Sequence, residues 1–82
     1  MRNKIEKFCN ECEIEVLFCD GYDEAIVGLG RCFNKFKIVY DKNKIIKILM
    51  NSMSEDEAEE FFEFNIVGAY VGEATPIFIE TL

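Results

Sequence analysis

The chain contains no histidine, which removes imidazole as a general base and as a metal ligand. No G-x-S-x-G nucleophile elbow occurs, and the two serines, Ser52 and Ser54, sit together. No stretch approaches the ~20 consecutive apolar residues of a membrane-spanning helix. The basic N-terminus is not followed by an apolar run, which argues against a secretory signal. No linker, internal repeat or low-complexity tract interrupts the sequence, so residues 1–82 read as one domain. Basic residues stop at Lys47: residues 48–82 carry eight acids and no lysine or arginine. A field of that sign repels nucleic acid and favours basic partners.

What is present is half apolar, with 13% aromatics and a net charge of −7. Such a chain folds rather than remaining disordered. At 82 residues it buries only about 60–65% of its unfolded surface. Self-association into a homo-oligomer is therefore an open expectation. Four cysteines in a chain without an export signal point to free thiols in a reducing cytosol.

Hydrophobic periodicity gives the element order. Ile5, Phe8, Cys9 and Cys12 recur at helical spacing, so 2–12 reads as a helix, with Asn3 and Glu6 placed as a capping box. Ile14, Val16 and Phe18 alternate with Glu13, Glu15 and Leu17, the signature of a strand over 13–19. Asp20-Gly21 stops it. Strands follow over 25–33 and 36–40, making an antiparallel meander. Asp41 caps a helix over 42–50, with a hairpin turning at 41–44 as the rival reading. Ser54 and Glu57 form a capping box for an acidic helix that ends near Ile66. Gly68 and Gly72 are candidate stops, and 77–80 reads as a short edge strand after Pro76. The expectation is an α+β domain of order α-β-β-β-α-α-β. Its small antiparallel sheet of three or four strands has helices on one face.

Several groups of residues bear on chemistry. Cys9-Asn-Glu-Cys12 has the spacing of a zinc half-site that Cys19 and Cys32 would complete. The second pair lacks that spacing, and the first lies on an apolar helix face, so core thiols are the preferred reading. Asp20, Asp23 and Glu24 surround a tight turn and are the candidates for a divalent cation, against a solvated hairpin tip. Gly28 and Gly30 fall on one side of a strand and clear it of side chains. Arg31 beside them can receive a phosphate or carboxylate bidentately, or simply pair with a neighbouring glutamate. Asn65 falls within the apolar arc of the last helix, as a ligand-binding amide or as a left-handed helix terminus. Tyr70, Glu73 and Thr75 follow in the exit. The ligand-binding set is then Gly28, Gly30, Arg31, Asn65, Tyr70, Glu73 and Thr75, with no catalytic set and no cofactor.

The runs DGYDEAIVGLGRCFN (20–34), YDKNKIIKILM (40–50) and EDEAEEFFEFNIVGAYVGEATPIF (55–78) resemble a family of short, uncharacterised proteins encoded by bacteriophages and prophages. The resemblance implies an accessory gene product in the bacterial cytosol and no established activity. The expected function is a small binding protein, acting against host defence by holding a nucleotide-like ligand or a host protein. Two alternatives stand beside it. One is an acidic decoy that mimics DNA and meets a basic host protein through 55–63. The other is a small metal-dependent enzyme built on Asp20, Asp23 and Glu24.

Overall fold

The computed structural model describes residues 1–33, 35–68 and 75–80, with Cys32 described by its backbone only. The first helix, α1 (Arg2–Cys12), turns Ile5 and Cys9 into the core. It starts two residues earlier than the Asn3–Glu6 capping-box pattern predicts. Met1 stands at its N-cap without a side-chain bond, because Glu6 is engaged by Arg2 one turn away. Its C-terminus closes on Glu13, which takes the left-handed conformation (φ 56°) and donates its N–H to the Cys9 carbonyl. Of the two thiols assigned to this helix's apolar face, Cys9 is buried and Cys12 is exposed.

Residues 14–19 are extended but do not form a strand. The alternation is real: Ile14, Val16 and Phe18 lean on the core while Glu15 and Leu17 are exposed. Alternation reports which side is buried, not what the backbone bonds to. The end of the segment is pinned instead by Cys19, whose N–H donates to the Tyr40 hydroxyl at 2.7 Å in the core. Gly21 supplies the positive φ (93°) that the Asp20-Gly21 turn needs, and a single 3₁₀ turn, Asp23–Ala25, leads into the sheet.

The sheet has three strands in the order β1 (Ile26–Cys32), β2 (Lys35–Asp41), β3 (Ile77–Ile79). β1 and β2 pair antiparallel, with a bulge between Ile26 and Gly28 that leaves Val27 out of register. β3 pairs with β2 in parallel, setting Val39 opposite Ile77 and Tyr40 opposite Phe78. The expected antiparallel sheet is therefore a mixed one, and the observed order is α-β-β-α-α-β. The cause is the connection: between β2 and β3 the chain makes a helical crossover, and a crossover returns the strand in the same direction.

That crossover holds α2 (Lys42–Leu49) and α3 (Glu55–Phe61). Asp41 caps α2 by accepting from the Asn43 N–H at 2.9 Å, so the helix reading holds over the hairpin. The capping box of α3 is present in both directions between Ser54 and Glu57. Beyond Phe61 the helix widens into a π-helical turn, Phe62–Val67, where the Gly68 N–H reaches the Glu63 carbonyl at 3.2 Å. A π turn advances each residue by less than the ~100° of an α-helix. Phe62 and Ile66 stay buried, while Phe61, Phe64 and Asn65 turn out to solvent. Asn65 is thus neither buried nor left-handed, contrary to the arc drawn with regular α-helical spacing.

The core lies between the helices and one face of the sheet. Ile38, Tyr40 and Ile45 are fully buried there. Phe8 of α1 meets Phe36 edge-on at 5.9 Å, and Phe62 meets Phe78 edge-on at 5.2 Å. Among the described residues, no helix is long and apolar enough to cross a membrane.

Candidate functional site

The acidic turn is organised by a cation from the other end of α1. Arg2 places Nη1 3.0 Å from Asp23 Oδ1 and 3.5 Å from Asp20 Oδ1, and Nε 2.7 Å from Glu6 Oε1. Its guanidinium carbon lies 4.3 Å from the centre of the Phe18 ring. The hydrogen bonds to Glu6 and then Asp23 push the arginine pKa above its ordinary value. Glu24 points away from this group, into a shallow hollow of about 390 Å³ shared with Lys44 and Lys47. Asp20 and Asp23 thus converge on a guanidinium, and Glu24 does not join them. Among the described residues, no three His, Cys, Asp or Glu side chains are grouped to hold a metal. Burial pushes the Cys9 thiol pKa up, which opposes the thiolate that zinc requires.

The Gly28, Gly30 and Arg31 group is divided by the pleat. Both glycines face the outer side of the sheet, with Val39, whereas Arg31 stands opposite Phe36 on the other side. The space that Gly30 clears is filled by its neighbours: a Cβ there would lie 2.9 Å from Val39 Cγ2 and 3.5 Å from Ile77 Cδ1. Above Gly28 there is open space, with nothing within 4 Å of a Cβ. Arg31 donates from Nε to the Phe33 carbonyl at 3.2 Å and lies 5.5 Å from the Phe36 ring. Asn65 is exposed on the π turn, and Thr75 sits half-buried before β3. Tyr70 and Glu73 lie outside the described residues. Of the expected ligand set, the described residues place Gly28 and Gly30 on one side of β1, Arg31 on the other, and Asn65 and Thr75 on other segments.

The crossover carries two features that spacing alone does not predict. Lys42, the first residue of α2, reaches Glu80 Oε1 at 2.8 Å and Glu59 Oε2 at 3.1 Å, joining α2, α3 and the end of β3. Its ammonium lies 5.5 Å from the Phe62 ring, and the Glu80 and then the Glu59 bonds push its pKa up. A pairing across 38 residues leaves no local signature. The second feature is the free side of α3 and the π turn. Glu59 is drawn inward to Lys42, while Glu55, Asp56, Glu57, Glu60 and Glu63 remain exposed. Among them Phe61 is 37% exposed and Phe64 75%. Met53, Glu57, Glu60 and Phe61 line a shallow hollow of about 280 Å³ at the start of this face. The exposed aromatics were legible only by allowing for the π turn.

No protein-family model, no curated protein and no solved structure compared with this chain matches it.

Proposed function

We propose that this chain is a binding protein whose target is a basic protein surface, engaged by the acidic, aromatic side of α3 and the π turn. The observation that carries the reading is Phe64, 75% exposed on an element that also exposes Glu55, Asp56, Glu57, Glu60 and Glu63. An aromatic anchor ringed by charge of one sign suits a partner that offers a pocket rimmed by lysine and arginine. The acid-only character of residues 48–82 steers such a partner toward this end of the molecule. In the phage setting implied by the resemblance, the partner is a host protein, and an acidic helix is suited to stand in for the phosphates of DNA on a nucleic-acid-binding surface.

Other readings draw less support. A nucleotide ligand needs Arg31 beside the cleared glycine face, and the two lie on opposite sides of β1. A metal-dependent enzyme needs Asp20 and Asp23 free, and both contact the Arg2 guanidinium.

The test is affinity capture of basic bacterial proteins on the immobilised chain, with the captured partner then titrated at rising salt. Binding is expected to weaken steeply as the Debye length contracts from about 10 Å to about 3 Å. Phe64→Ala is expected to weaken it by about 2 kcal/mol, roughly thirtyfold. A partner indifferent both to salt and to Phe64→Ala refutes the reading.

A further inference from the structure

We propose that the outer face of the sheet is a self-association surface on which a second copy of this chain docks, sheet against sheet. This surface is separate from the acidic helix face and does not depend on its function.

Among the described residues, helices and core cover one side of the sheet. A sheet face left to solvent normally alternates toward polar residues. Here the open side presents Gly28, Gly30, Val39, Ile77 and Ile79, none of which belongs to the buried core. Ile77 is 39% exposed and Ile79 38%, and Val27 at the adjoining bulge is 45% exposed. Three β-branched residues side by side on an uncovered sheet form a contiguous apolar patch, the kind that marks an interface. The open space above Gly28 flattens the surface and lets another backbone come close.

The charges on this face identify the occupant. Along β2 the outward residues run Lys35, Lys37, Val39, Asp41, with one carboxylate oxygen of Asp41 already accepting from the Asn43 N–H. Lys37 and Asp41 each stand two residues from Val39, about 7 Å along the strand in opposite directions. Consider a two-fold axis lying between two stacked sheets, passing by Val39 at right angles to the strands. It sets Val39 on Val39 and Ile77 on Ile77, and it brings Gly28 over Gly28, where nothing obstructs the approach. The same operation places Lys37 of each copy against Asp41 of the other. The alternative axis, parallel to the strands, would set lysine on lysine and aspartate on aspartate. The surface is therefore self-complementary in one orientation, as an isologous interface requires. Sheets packed this way sit about 10 Å apart with strands near −30°.

Gly28→Arg is the decisive variant, because the open space at Gly28 accepts a side chain in the single chain and not between two sheets. Sedimentation across micromolar concentrations is expected to give wild type at twice the 9.5 kDa chain mass, and Gly28→Arg at the single-chain mass with an unchanged circular dichroism spectrum. Lys37→Glu, at a half-buried outward position of β2, is expected to keep the circular dichroism spectrum and to raise the dimer dissociation constant about tenfold, the equivalent of about 1.4 kcal/mol. A wild type that stays at the single-chain mass overturns the proposal. So does a folded Gly28→Arg protein that associates as wild type does. If Gly28→Arg does not fold, Lys37→Glu decides: an unchanged dissociation constant overturns the proposal, and a weakened dimer supports it.

Discussion

Replacing Tyr40 with phenylalanine isolates one hydroxyl at the centre of the fold. Tyr40 is fully buried, and its oxygen accepts the Cys19 N–H at 2.7 Å. Phenylalanine keeps the ring and its stacking on Phe78 but leaves that buried N–H without this acceptor. The cost of an orphaned buried donor is about 1–3 kcal/mol. Taking about 2 kcal/mol, the melting temperature of a domain this size falls by roughly 8–16 °C. A pH series then tests the environment of the hydroxyl itself. Burial pushes the Tyr40 pKa from 10.0 up to about 12, while the Cys19 N–H, which favours the phenolate, pulls the other way. The sign follows. Below pH 10 both the folded and unfolded chains hold the proton. Between pH 10 and 12 the unfolded chain releases it first, so stability falls as pH rises through that window. Two pKa units correspond to about 2.7 kcal/mol. Urea unfolding of wild type and Tyr40→Phe, measured in parallel from pH 7 to 12, is therefore expected to show a gap of about 2 kcal/mol at pH 7 that closes toward pH 12. A gap under about 0.5 kcal/mol at pH 7, or one that stays constant up to pH 12, refutes the reasoning.

Two further substitutions probe other parts of the fold. Phe33 holds φ 56° at the hairpin tip and is 90% exposed, so Phe33→Gly relieves a left-handed conformation with almost no loss of buried area. It is expected to stabilise the protein by about 1 kcal/mol in thermal melts, and a destabilisation would contradict the backbone account. Lys42→Met keeps the stem over Phe62 but removes the pairs to Glu59 and Glu80. An expected loss of about 1 kcal/mol at low salt shrinks toward zero in about 1 M salt, where the Debye length is near 3 Å; a loss that ignores salt would show that packing, not charge, joins these elements.

The parts of the fold written in local sequence were legible. Asp41 and Ser54 act as the caps their types and positions predict, because a cap is satisfied within three residues. The spacing of Ile5 and Cys9 gave the buried stripe of α1. What sequence did not disclose depends on distant partners or on a change of helical pitch. The strand predicted at 13–19 has the right alternation but pairs with no strand among the described residues. The direction of β3 is decided by a crossover, not by its own residues. Asn65 falls in the apolar arc only while regular α-helical spacing is carried through a segment that widens at Phe62. Within the expected ligand set, Arg31 stands apart from the two glycines for a simpler reason. Adjacent residues on a strand face opposite ways, so a glycine and the arginine next to it cannot share a cleared surface.

The parallel pairing of β3 has a kinetic consequence. The β1–β2 hairpin closes over a short turn and belongs to the microsecond class of events. β3 joins β2 through the crossover, which the Lys42–Glu80 contact spans across 38 residues, and long loops are expected to close late. With three residues on a sheet edge, β3 is also the strand whose amides are expected to exchange fastest with solvent. Ile77 and Ile79 make up much of the outer apolar patch, so the patch exists only while β3 is docked. A second copy seated there binds the docked state alone and, by mass action, holds the strand in place. Dilution then does more than separate two chains: it returns the edge strand to its own weak equilibrium, and concentration becomes a control on local folding.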